Sequence, residues 1–220
     1  MVGYNRRFAP MTLRLREFLS DIREPLVMRY RINAGALPRG HWVHDPAQGG
    51  GRIVGEVCHF IDLLQFLAGG PPVRLHAQAL PDDGRYRNDN VVITLEFAGG
   101  SLGELTYVAN GDGALGKERL EVFGGGDAAV LEDFRRLELV RHGRKRVYRS
   151  RWRRDKGHRS QWEAFARALG QGGPSPTPWP DLVSASLATF RIHDSLRTGE
   201  PVSIGVEEFM AQALAPEASG

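Results

Sequence analysis

Apolar positions change their period twice along the chain, and the changes divide it into helical and extended regions. In "PMTLRLREFLSDI" Leu13, Leu15, Phe18, Leu19 and Ile22 recur near helical spacing after a first-turn proline, which predicts a short amphipathic helix. "PLVMRYRINA" then reads as a strand, and residues 36–51, with four glycines and two prolines, read as a loop. A second helix is expected over "GGGRIVGEVCHFIDLLQFLAGG", with Ile53, Val57, Phe60, Ile61, Leu64, Leu67 and Ala68 forming its apolar arc. Beyond "GGPP" the period falls to two. The predicted strands are "VRLHAQAL", "NVVITLEF", "GELTYVAN", "ERLEVFG", "AAVLED", "RLELVRH" and "KRVYRSR", separated by Gly, Asp and Asn turns. Such a succession is a meander and hence mainly antiparallel. Two further helices follow, "SQWEAFARALGQGG" and, from Asp181 to Gly199, "DLVSASLATFRIHDSLRTGE", with the proline-rich "GPSPTPWP" between them.

Runs of strands with segregated helices predict an α+β domain: a large, open, mainly antiparallel sheet with helices packed on one face. One domain over residues 1–214 with a flexible tail at 215–220 accounts for the pattern. Apolar alternation on so many strands suggests that a second copy of the sheet covers the other face, giving a homodimer or tetramer.

Composition narrows this reading. No apolar run reaches the ~18–20 residues of a membrane span, and "MVGYNRRFAP" has no secretion-signal pattern, so a cytoplasmic location without membrane contact is expected. Cys58 is the single cysteine, which leaves no internal disulfide and no cysteine zinc site. The net charge of +3 is concentrated in "RHGRKRVYRSRWRRDKGHR", residues 141–159. That run reads either as a surface for nucleic acid or phosphates, or as a solvated strand pair turning at His142 and Gly143. "GDGALG", residues 111–116, matches G-x-G-x-x-G, with Glu132 and Asp133 where a ribose-binding acid is sought. Strand-like "KERLEVFGG" follows it instead of a helix, so it is a turn and binds no dinucleotide.

The chemistry gathers on the second helix. At α-helical spacing Glu56, His59 and Asp62 fan over roughly 120° of one side. A histidine held beside carboxylates on a rigid helix suits a proton shuttle, with His59 as acid or base and Asp62 or Glu56 orienting the ring. Alternatively Asp62 is a surface acid pairing with His59 at i, i+3. A metal held by Glu56, His59 and His41 or His44 is a third arrangement, unsupported by any ligand spacing, and no metal is expected. Cys58, on another face, reads as packing.

"GGGRIVGEVCHFIDLLQFLAG", preceded by "INAGALPRGHWVHDP" and "VGYNRRFAP" and closed by "SLRTGEPVSI", resembles the C-terminal half of the glucose-fructose oxidoreductase, inositol dehydrogenase and rhizopine-catabolism (Gfo/Idh/MocA) family. The resemblance covers nearly the whole chain. It implies a substrate-binding and oligomerisation domain that works with an N-terminal Rossmann domain binding NAD or NADP. His59 is then the acid/base beside a sugar, amino-sugar or polyol hydroxyl, and Asn5, Arg6 and Arg7 lie near the cofactor cleft. Arg39, His41 and Trp42 are candidate substrate contacts. The family's usual aspartate four residues before the histidine is Gly55 here, with Glu56 adjacent, and its "EKP" lysine segment is absent. The expectation is therefore a chain that binds no cofactor alone, is inactive by itself, and has a missing or separately encoded dinucleotide-binding domain as partner. A non-catalytic dimerising or ligand-binding module is the rival reading. A nucleic-acid-binding module, for which only the basic run speaks, is the third.

Overall fold

The computed structural model describes residues 2–38, 40–45, 47–81, 89–150 and 154–213. Arg39 and the tail at 215–220 lie outside the described residues, as does "RWR" at 151–153 of the basic run. In chain order the elements are α1 (Pro10–Leu19), β1 (Val27–Asn33), α2 (Cys58–Ala68), β2 (Pro72–Ala79), β3 (Val91–Phe97), β4 (Leu102–Val108), β5 (Glu118–Gly124), β6 (Asp127–Glu132), β7 (Arg136–Arg141), β8 (Arg144–Arg149), α3 (His158–Gly170), α4 (Trp179–Thr198), β9 (Val202–Ser203) and α5 (Val206–Ala213). A 3-10 turn, Arg6–Phe8, precedes α1, and a π-helical turn, Ile53–Val57, leads into α2.

One nine-stranded sheet in the order β8-β7-β6-β5-β1-β4-β3-β2-β9 carries the fold. The seven strands read from period-two alternation form at their expected places, but not as one meander. β1 enters between β4 and β5, parallel to the former and antiparallel to the latter, so two meanders are stitched together by the strand that comes first in sequence. Strand periodicity sets which face a residue takes and is silent about which strand lies beside it. Tyr30 pairs across with Leu105 and Leu120, and all three point into the core. Short β9, paired with β2, and helix α5 were not evident in the alternation. α4 starts at Trp179, two residues before the aspartate expected to open it, with Pro178 as its N-cap.

Each central strand buries alternate residues, and the helices cover that buried face. α2 sits over the sheet centre, where Phe60 meets the rings of Tyr30 and Tyr107, and α4 packs beside α2 and along β2. The outward face carries cross-strand ion pairs such as Arg29–Glu104 and Arg119–Glu132 alongside exposed apolar residues, among them Val92 and the neighbouring trio Val27, Leu102 and Phe123. The exposed edge strand β8 is rich in Arg and Lys, a composition that discourages further strand addition. Among the described residues no helix is long and apolar enough to cross a membrane.

Candidate active site around His59

The π-helical turn changes how the polar side chains before and after it are aimed. A π turn carries an extra residue, so residues on its two sides no longer keep α-helical phase. Gly55 lies within it, and the loop before it closes over this turn: a Cβ on Gly55 would meet Val43 Cγ2 at 3.4 Å. Glu56, in this turn, and His59, at the start of α2, both line an open cleft of about 550 Å³, while Asp62, one turn further along α2, is buried away from it.

Asp62 is fully buried and forms a two-pronged ion pair with Arg7, at 3.0 Å (Nε to Oδ2) and 2.5 Å (Nη2 to Oδ1). Arg7 also donates through Nη1 to Asp181 at 2.9 Å, in the first turn of α4. The His59–Asp62 pair read from i, i+3 spacing is therefore replaced by a clamp that fastens the N-terminal segment to α2 and α4. Arg7 is consumed in that clamp and turns no donor toward a cofactor.

His59 is half-buried, with its ring edge-on to Tyr4 at 5.5 Å between centroids. Its Nδ1 is buried and has no hydrogen-bond partner among the described residues. Burial, reinforced by the charge of Arg6, pushes its pKa down to about 4, so the ring is neutral at pH 7. Glu56 is held by Arg52 at 3.1 Å and Lys117 at 3.7 Å; burial opposes its ionisation, but these two cations outweigh it and lower its pKa. Beside Tyr4, burial raises the Cys58 pKa, which keeps the thiol protonated and fits packing better than attack.

Beneath the cleft lies a carboxylate the sequence did not single out. Glu118, buried at the start of β5, accepts from Arg6 Nε at 2.9 Å, Arg6 Nη2 at 3.0 Å, the Tyr30 hydroxyl at 2.5 Å and Lys156 Nζ. Burial would raise its pKa, but Arg6 and then Lys156 hold it at about 2. The Arg6 guanidinium also lies 4.5 Å over the Phe60 ring. Asn5 completes this wall: its Nδ2 donates to the Lys156 carbonyl at 2.7 Å and lies 3.4 Å from His158 Nε2. Gly157 makes that approach possible, since it has φ +87° and a Cβ there would fall 2.4 Å from the Asn5 carbonyl oxygen. His158, Gln161 and Trp162 bring α3 to the cleft.

Of the candidate residues the cleft thus unites Asn5, Arg6, Glu56 and His59. His41 and Trp42 are not among its lining: His41 Nδ1 accepts from the Val43 amide at 3.3 Å, and Trp42 stands exposed beside it. Among the described residues no group of three or more His, Cys, Asp or Glu is placed to hold a metal. Lys156, His158 and Trp162 were not singled out: the run 141–159 reads as a whole, either as a surface for nucleic acid or phosphates or as a solvated strand pair, and neither reading ties its end to His59. Much of that run is indeed paired at the surface, Arg141 with Asp127, Lys145 with Glu138 and Arg159 with Glu163. The only local signal was the Asp-Lys-Gly-His break that ends the run at a helix start. The glycine-rich turn 111–116 joins β4 to β5 with no helix behind it, and Asp133 accepts from the amides of Lys117 and Glu118 instead of meeting a ribose. The turn 111–116 is therefore no strand-glycine-helix cradle for a dinucleotide.

Residues 20–128 match the family described as "GFO/IDH/MocA C-terminal domain". A search of curated proteins gave no match. Similar solved structures include an oxidoreductase domain protein from Kribbella flavida (18% identity, TM-score 0.76) and a levoglucosan dehydrogenase in complex with NADH and levoglucosan (18%, 0.77). An oxidoreductase from Agrobacterium radiobacter in complex with NAD+, L-tartaric acid and magnesium is a third (16%, 0.74). These alignments cover 93–94% of this chain but only 65–66% of the other chains. At such identities the likeness establishes the fold.

Proposed function

The chain belongs to the Gfo/Idh/MocA family through this C-terminal domain, and from that premise we propose that it is the substrate-binding, catalytic-histidine part of an NAD(P)-dependent oxidoreductase acting on a sugar, amino-sugar or polyol hydroxyl. The observation that carries the reading is His59: a neutral imidazole, fixed on a rigid helix, with an unpartnered buried nitrogen, at an open cleft. A neutral ring accepts the hydroxyl proton as hydride leaves the same carbon. A base of low pKa is adequate for that step, because loss of hydride turns the C–OH into a protonated carbonyl, which is strongly acidic. Trp162, 64% exposed at the cleft, offers an indole face for the apolar side of a sugar ring. The nicotinamide cofactor, held by a dinucleotide-binding domain outside these residues, would accept the hydride; this chain supplies the proton acceptor and the substrate walls.

The test joins this chain to its dinucleotide-binding domain and follows polyol-dependent reduction of NAD+ and NADP+. His59→Ala is expected to lower kcat by about 10²–10⁴-fold with a smaller change in KM. Turnover unchanged by that substitution would sink the catalytic role and favour a dimerising or ligand-binding module that keeps the fold.

A further inference from the structure

We infer that the cleft selects a sugar or polyol bearing an anionic group, a carboxylate or a phosphate, which seats against Lys156 and His158 while a hydroxyl of the same molecule meets His59. The inference rests on the reading of this cleft as a substrate site and adds the charge of the substrate to it.

Charge bookkeeping at the cleft floor is the first support. Arg6 and Lys156 share the single carboxylate of Glu118, which the Tyr30 hydroxyl also engages. Arg52 and Lys117 likewise share Glu56, the one carboxylate lining the cleft. Even with Asp89, 4.0 Å from Arg52, these four cations face three carboxylates among the described residues, with the histidines left aside. A surplus positive charge in a partly enclosed site is poorly screened, and a bound anion relieves it.

The placement of donors is the second support. The Lys156 side chain keeps 17% of its surface exposed and lines the cleft, while Glu118 anchors its ammonium. Asn5 locks the Lys156 backbone through the carbonyl, and Gly157 lets His158 follow at once on the same wall. Burial lowers the pKa of both Lys156 and His59, with Glu118 opposing it and Arg6 adding to it in each case.

A dinucleotide pyrophosphate is the competing anion, and the experiment separates the two. The chain is titrated by calorimetry and by imidazole NMR with D-glucose, D-glucuronate, D-glucose 6-phosphate and ADP-ribose, at low and high salt. We expect at least one charged sugar to bind ten-fold or more tighter than D-glucose, with the advantage shrinking as salt rises. Lys156→Gln should reduce that preference to within about two-fold, and Lys156→Arg should keep it, with folding of both verified by their circular dichroism. Equal binding of D-glucose, a preference that survives Lys156→Gln, or binding of ADP-ribose alone overturns the anion site. The first of these leaves hydroxyl oxidation standing. Absence of binding by every sugar, with no shift of the His59 ring signals, overturns both readings.

Discussion

His59 shows how burial sets the work a side chain can do. Its folded pKa of about 4 lies below the ordinary value of 6.5, so between those values the unfolded chain takes up a proton that the folded chain refuses. Stability contributed by the neutral ring is present above pH 6.5 and is lost as pH falls through 4, by up to about 3 kcal/mol. Denaturant midpoints of the wild type should therefore drop between pH 7 and 4.5, and His59→Gln should flatten that drop. An equally steep drop in the variant would mean the ring titrates normally. Sequence spacing brought Glu56 and His59 to one cleft, and the structure bears that pair together. It could not find Glu118, because a lone acid opening a strand looks like any solvated terminus until Arg6, Tyr30 and Lys156 converge on it from remote positions.

The element that matters most is the helix formed by the π turn and α2, and its fixation explains why Asp62 belongs to architecture. Asp62 and Arg7 are buried together, and Arg7 continues to Asp181, so one guanidinium ties three segments. Removing the charge of Asp62 leaves a buried cation half-paired, which costs about 3–5 kcal/mol. Asp62→Asn is expected to lower the unfolding free energy by that order in urea titrations while leaving the His59 NMR titration in place. A large displacement of the His59 pKa with little loss of stability would instead return Asp62 to the role of ring orienter. The i, i+3 argument failed here for a definite reason: spacing sets Asp62 one turn from His59 within α2 but cannot register Arg7, which arrives from 55 residues away and engages both carboxylate oxygens.

For the whole molecule, the question of assembly turns on the chemistry of the outward sheet face. That face is a field of ion pairs with Val27, Leu102 and Phe123 together near the middle strand, cross-strand neighbours at 53%, 51% and 46% exposure. We propose that a second copy covers this trio, since apolar neighbours ringed by paired charges of both signs suit a self-complementary contact. Sedimentation velocity should show a dimer or larger species that Leu102→Arg shifts to monomer; a wild type that stays monomeric at high concentration would refute the contact.

The sequence alone determined the elements and their faces: period-two runs became strands, the glycine after α4 ended it, and the rejected glycine motif is a turn. Those features are local, set by dihedral preference and by which side of each element is apolar. Tertiary structure decided what depends on distant segments meeting. It threaded β1 between β4 and β5, gave Asp62 to Arg7, and brought Lys156 and His158 to the cleft with His59. No local pattern encodes those encounters, because each joins residues whose separation along the chain carries no periodic signal, and only the packed core fixes them.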